Sequence, residues 1–170
     1  TLNVSGGSNY SVAGTTVTPL LNFSGVLTVP VVVNDGTNNS NTFNLTITVN
    51  PLNDSPVITG QDVLSVNEDQ SITLSLSNLT VTDVDNTFPT GFTLTVLAGS
   101  NYTFTGTTVT PTPNFSGTLT VPVRVNDGTT NSNTFNLTIT VNPSNDAPTI
   151  TGQTALSVNE DTPITIQLSN

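Results

Sequence analysis

Apolar and polar residues alternate through much of this chain. Leu119, Val121, Val123 and Val125 are spaced by Thr120, Pro122 and Arg124; Phe135, Leu137, Ile139 and Val141 are spaced by Asn136, Thr138 and Thr140. A strand turns successive side chains to opposite faces, so a period of two buries one face and wets the other. Asn126-Asp127-Gly128 lies between the two runs and predicts a hairpin loop. Ile72, Leu74 and Leu76 predict another strand, and Leu94 with Val96 another. Leu79 with Val81, Tyr102 with Phe104, and Leu64 with Val66 predict shorter ones. No stretch carries a helical apolar period over three turns.

The pattern then recurs. Gly7-Ser8-Asn9-Tyr10 returns at Gly99-Ser100-Asn101-Tyr102, a spacing of 92, and Asn22-Phe23-Ser24-Gly25 returns at Asn114-Phe115-Ser116-Gly117. The eleven residues from Asn41 to Pro51 are repeated unchanged from Asn133 to Pro143, and Val66-Asn67-Glu68-Asp69 at Val158-Asn159-Glu160-Asp161. About three quarters of the overlapping residues are identical. The polar, proline-flanked segments Asn50–Pro56 and Asn142–Pro148 are the natural linkers, because proline blocks strand pairing and stiffens a short connection. Residues 1–52 then read as the later part of one repeat, 53–144 as one complete repeat, and 145–170 as the start of a third; the expected whole is longer than this chain. About seven short strands in one 92-residue repeat predict an antiparallel sandwich of immunoglobulin or cadherin type. A repeat of that length holds its own core, so the fold class is all-β, with tandem antiparallel β-sandwiches strung like beads.

Composition narrows the function. With 34% apolar residues there is material for a core, and Thr, Ser, Asn and Val suit strands and turns. There is no Cys and no His, which removes thiol chemistry, the commonest general base and the commonest transition-metal ligand. There is no Lys, and Arg124 is the single base against eleven acids, giving a net charge of −10. Nucleic acid needs clustered positive charge and is excluded as a partner, and an anionic membrane surface is disfavoured. No apolar run reaches the length of a membrane span, so direct membrane insertion of this segment is not expected.

The acids are not scattered over strand faces. In the complete repeat they are Asp54, Asp62, Glu68, Asp69, Asp83, Asp85 and Asp127, nearly all at element ends. Carboxylates drawn together at one pole of a sandwich repel, and no cationic side chain is at hand to neutralise them. A divalent metal answers that, and an all-oxygen ligand set points to Ca2+ over Zn2+ or Cu2+. Simpler readings stay open. Asp127-Gly128 and Asp35-Gly36 suit a turn on backbone grounds alone, and Asn53-Asp54 and Asn145-Asp146 suit turn caps. Asp83-Val84-Asp85 begins like an EF-hand loop, but Phe88 stands where the loop glycine belongs and Leu94 where the closing Glu belongs. Asp69 reads as a solvated neighbour, and Tyr102, Phe104 and Phe115 as core or sheet-edge packing. Arg124 reads as a surface variation, because Val32 holds its place in the other copy.

Taken together, Asn67-Glu68-Asp69, Asp83-Val84-Asp85, Asn114-Phe115-Ser116-Gly117, Asn126-Asp127-Gly128 and Asn145-Asp146-Ala147-Pro148 resemble the bacterial cadherin-like tandem repeats of large surface adhesins and secreted matrix proteins. The resemblance implies Ca2+ at the junctions between successive domains. At the first junction it implies Asn53, Asp54, Asp83, Asp85 and Asp127 as metal ligands, and at the second Glu68, Asn145 and Asp146. This chain departs from the pattern in having no Glu between Glu68 and Glu160, which implies fewer or weaker ions. The implied function is a structural spacer or stalk in an extracellular adhesin or surface fibre, its partners being adjacent repeats of the same chain, with self-association into fibres as a variant. A glycan- or protein-binding module is the alternative. Catalysis is not expected: Asp83 and Asp85 lie two residues apart in a loop with no His, Lys or Cys to work with.

Overall fold

The computed structural model describes residues 1–167 and is built almost entirely of strands. The first unit holds β1 (Leu2–Val4), β2 (Tyr10–Ala13), β3 (Thr16–Pro19), β4 (Gly25–Val33) and β5 (Phe43–Val49). The second holds β6 (Val57–Gln61), β7 (Ser65–Asn67), β8 (Ile72–Thr73), a 3-10 turn at Leu76–Asn78, β9 (Leu79–Thr82), β10 (Thr93–Val96), β11 (Tyr102–Thr105), β12 (Thr108–Pro111), β13 (Gly117–Asn126) and β14 (Phe135–Asn142). The second unit is a sandwich. One layer is the sheet β10-β13-β14-β7; facing it are the sheet β11-β12-β8 and the pair β6-β9. All of them contribute to one core that includes Ile58, Leu74, Leu79, Phe92, Val109, Leu119, Leu137 and Ile139.

The alternation in the sequence becomes the register. Leu119 faces Ile139 across the β13–β14 pair, Val121 faces Leu137 and Val123 faces Phe135, with the intervening Thr and Asn turned to water. The loop between them is a turn in which Gly128 takes φ +100°, where a side chain would be strained. Arg124 is on the wet face and donates from Nε to Thr134 Oγ1 at 2.8 Å, in keeping with a surface position.

The structure departs from the expected strand list in three ways. Among the described residues the second unit has nine strands, two of which, β6 and β12, alternation did not reveal. Val57-Ile58-Thr59-Gly60-Gln61 carries only one buried apolar residue and a register shift between Ile58 and Gly60, so its period is broken. The strand expected over Ile72, Leu74 and Leu76 stops after Thr73. Ser75 and Asn78 exchange hydrogen bonds that close a 3-10 turn and carry Leu76 with it. Finally, the sandwich is not wholly antiparallel: β7 pairs parallel to β14, Ser65 with Thr140, Val66 with Val141 and Asn67 with Asn142.

Tyr102 and its counterpart Tyr10 are buried, and each hydroxyl reaches back to a carbonyl five residues upstream, Leu97 O at 2.5 Å and Ser5 O at 3.0 Å. Phe115 packs partly buried against the core, whereas Phe104 lies on the exposed edge beside Tyr102.

The first unit repeats β10–β14 as β1–β5, with a smaller core of Tyr10, Leu27, Val29 and Val31. Its β5 is uncovered. Phe43, Leu45 and Ile47 are 62%, 41% and 37% exposed, whereas Leu137 and Ile139, in the identical local sequence, are fully buried. Residues 143–167 carry no strand and are exposed along their length. Residues 168–170, within the expected start of a third repeat, lie outside the described residues.

Candidate functional site at the junctions between repeats

The linker Asn53-Asp54 is tied into two loops of the second unit. The Asn53 amide nitrogen donates to Asp127 Oδ2 at 2.9 Å and to Thr130 Oγ1 at 3.0 Å, and Asn53 Oδ1 accepts from Asn86 Nδ2 at 3.3 Å. The backbone N–H of Asp54 donates to Asp85 Oδ2 at 2.7 Å. The five residues expected at the first junction are thus brought to one pole of the second unit. There Asp54 and Asp85 line a cleft of about 290 Å³ whose other wall is Asn22, Phe23, Ser24 and the segment Val49–Leu52 of the first unit.

The individual carboxylates are differently occupied. Asp127 is saturated: besides Asn53, it accepts from Thr129 N and Thr130 N, each at 2.7 Å, and from the Thr130 hydroxyl at 3.0 Å. Asp35 does the same job in the first unit, where its Oδ1 accepts from Thr37 N and Asn38 N at 2.8 Å. The turn-capping role of both aspartates therefore follows from geometry. Asp83 differs. Its Oδ1 accepts from the N–H groups of Asp85 and Asn86 at 2.8 Å, while its Oδ2 is buried with no hydrogen-bond partner among the described residues. A buried, unpaired carboxylate oxygen is costly, and such atoms are rare in folded proteins. Among the described residues no three acids stand close enough to make a metal-binding group by themselves. A cation at this pole would need uncharged oxygens beside the carboxylates, because the acids alone do not form a ligand group.

Hydrogen bonding holds Asp127 well below the usual carboxylate range, from 3.8 to about 2, with the Asn53 amide the largest cause and the Thr130 N–H the next. The folded pKa is depressed, so the ionised form supports the fold above the ordinary value, and that support is lost as pH falls from about 4 through about 2. Asp127→Asn should lower the melting temperature at neutral pH and flatten the acid limb of the stability curve. Thermal unfolding followed from neutral pH down to about 2 measures both, and an unchanged acid limb would show that the Asn53 contact contributes nothing.

The opposite pole carries Glu68. It is 7% exposed, one of the few buried polar side chains, and its Oε1 accepts from Ser144 N at 2.5 Å while its own N–H donates to Asn142 O at 2.9 Å. Glu68 is thereby placed against the second linker. Asn145 and Asp146 are exposed next along the chain, and the Asn145 amide donates to the Asp146 carbonyl at 3.2 Å. Asp69 takes φ 62° and accepts from Asn114 N at 3.3 Å, a role in loop closure that sequence reasoning missed. The residues it missed altogether are Asn86 and Thr130, which complete the Asn53 network; a neutral residue beside an acid gives no signal of its own in a chain so rich in Asn and Thr.

A two-layer β-sandwich repeated along the chain, with its acids at the poles, defines an immunoglobulin-type tandem repeat. Residues 53–140 match the family described as the bacterial Ig domain, and the chain belongs to that family. No curated protein matches it. Among solved structures, it is similar to two of an endo-fucoidan hydrolase from glycoside hydrolase family 107. For one, a variant, identity is 17% and the TM-score 0.35 over 84% of this chain; for the other, identity is 16% and the TM-score 0.36 over 92%. The chain spans about a quarter of the hydrolase's length, and at these scores the likeness carries no argument about activity. Among the described residues no helix is long and apolar enough to cross a membrane.

Proposed function

We propose that this chain is a spacer segment of an extracellular or cell-surface protein of bacterial type, in which the junctions between sandwiches are held stiff so that the string keeps its length. The observation that carries this is the first linker. Asn53 and Asp54, inside the proline-flanked connection, are bonded into the Asp83–Asn86 and Asp127–Thr130 loops. These bonds fix Asn53 and Asp54 to the second unit before any ion binds, and Pro51 restricts the chain that leads to them.

Ca2+ is proposed as the second element of stiffness. The orphaned Asp83 Oδ2 is the atom that fits a hard cation; Asp54 and Asp85 line the cleft against the first unit and would have to shift to join it. Asp127 is assigned a positioning part, orienting Asn53, because its oxygens are already filled by donors. At the second junction Glu68, Asn145 and Asp146 are the corresponding candidates. Bound calcium would supply charge neutralisation among these oxygens. No catalytic step belongs to this reading. The alternative of a glycan-binding module has less support, because Tyr102 is buried and Phe104 alone does not make an aromatic platform.

The test is calorimetry and small-angle scattering on residues 1–170 with calcium and with chelator. A ligand that binds only the folded state at a hundredfold excess over its Kd raises stability by about 2.7 kcal/mol, so a clear rise in melting temperature is expected, absent in Asp83→Asn. Coincident melts and scattering profiles in both buffers would remove calcium from the account and leave the hydrogen-bonded linker as the sole stiffener.

A further inference from the structure

The edge of a sheet presents N–H and C=O groups that any further strand can pair with, and repeats of one sequence are well suited to mispair with each other. β14 of the second unit has such an edge. Among the described residues β7 pairs with its Thr140, Val141 and Asn142, but β14 begins at Phe135, so the first half of the edge is left without a strand. Alternate residues of β14 face that side. Thr140 N donates outward to Leu64 O, and Asn142 O accepts from Glu68 N, both at 2.9 Å. Thr138 and Asn136, two and four residues before Thr140, turn their backbone groups the same way.

A side chain fills the gap at Thr138. Thr138 N donates to Gln61 Oε1 at 2.7 Å, and Gln61 Nε2 donates back to the Thr138 carbonyl at 2.8 Å. A residue on an added antiparallel strand would exchange the same two bonds. The amide is firmly held. Its Nε2 also donates to Asp62 O at 3.0 Å, and its Oε1 also accepts from the Thr138 hydroxyl at 3.4 Å. Its orientation follows from chemistry, because the Thr138 N–H can only donate and must face the oxygen. Gln61 reaches across from the other layer. It ends β6, after the register shift between Ile58 and Gly60, and an extra residue in a strand re-aims the side chains that follow. Past Thr138 the edge borders a cleft of about 430 Å³ lined by Asp62, Val63, Leu64, Phe135 and Asn136, so a strand laid along Asn136 would run beside an acid.

We infer that Gln61 is an edge guard: its amide occupies the donor and the acceptor of Thr138 that an added strand would need, and so keeps β14 from pairing with the β14 of a second copy. The commonest guard is a Lys on the edge strand, and this chain has none. A neutral amide serves instead, and it can stay half-buried without the cost of desolvating a charge. Comparison of the copies points to the amide and not to its neighbours. At the spacing of 92, Gln61 returns as Gln153 and Thr138 repeats Thr46, whereas Asp62-Val63 returns as Thr154-Ala155. The guarded strand is itself present twice, since Asn133 to Pro143 repeats Asn41 to Pro51 unchanged. A string of such units places identical strands at high local concentration, which is where a closed edge matters most.

Gln61→Ala in the 170-residue chain tests this in chelator, read against wild type so that association by any other surface is common to both. In dilute solution the Thr138 amide should exchange its hydrogen at least tenfold faster than in wild type, while Leu137 and Ile139, which face β13, keep their protection and report an intact fold. As concentration rises, sedimentation should show association at least tenfold tighter than wild type. Gln61→Asn, whose amide is one methylene too short to reach, should behave in the same way without adding apolar surface. Adding Asn136→Pro to either variant removes the next outward N–H without touching Gln61, and should return association to the wild-type level. A side chain that merely tied the two layers together would not be rescued so. Unchanged exchange at Thr138, association of both variants at the wild-type level, or association that Asn136→Pro does not relieve would each overturn the inference.

Discussion

Leu137→Ala should cost the second unit about 2–5 kcal/mol, whereas Leu45→Ala in monomeric protein should cost the first unit far less. The two leucines sit in the same eleven-residue sequence and the same strand position, so local propensity cancels between them. They differ in cover: Leu137 is fully buried within the core of the sandwich, and Leu45 is 41% exposed. Deleting the buried side chain forfeits its transfer energy and leaves a cavity, whereas water fills the space beside Leu45 at once. Calorimetry on each variant, with the two units' transitions assigned by Leu137→Ala itself, gives both values. Equal losses would mean that the exposed face of β5 is covered in solution.

Gly99→Ala should destabilise the second unit by about 1–3 kcal/mol, the range for forcing extra atoms into packed space. A Cβ on Gly99 would stand 2.7 Å from the Tyr102 hydroxyl and 2.8 Å from its ring edge, and the same clash awaits at Gly7 against Tyr10. The ring cannot swing aside without loss, because Tyr102 is buried and its hydroxyl is bonded to Leu97 O. Its surroundings also raise the hydroxyl's pKa through burial, as expected of a group shut away from water. Denaturant titration of Gly99→Ala, Tyr102→Phe and the pair should show losses smaller in the double variant than the two singles added, since both act on one contact. Strict additivity would place the damage elsewhere.

The repeat, the all-β class and the long hairpin β13–β14 were legible because each rests on a strong local period. Alternation of Leu119 to Val125 against Phe135 to Val141 has no competing solution in a chain without helical periods. The parallel β7–β14 pair was not legible, because Ser65-Val66-Asn67 shows no sign of which neighbour it will join. The Leu76 turn escaped for a related reason, as Ser75 and Asn78 offer the backbone a local alternative to the ladder. At the candidate site the sequence identified which acids gather at a pole. It did not show that N–H donors would fill Asp127 and leave Asp83 Oδ2 bare, a distinction of a few ångströms set by loop conformation.

The parallel pairing of β7 with β14 bears on how such a string carries load. One strand lies near the entry to the sandwich and the other at its exit, and both point the same way. Tension applied through the two linkers therefore slides them past one another, loading Thr140, Val141 and Asn142 and their partners together in shear. An antiparallel terminal pair pulled from one end would instead unzip, its bonds breaking in succession. Stretching in single-molecule force spectroscopy should accordingly show the second unit yielding in one abrupt step, with Val66→Pro, which removes a strand donor, yielding at markedly lower force.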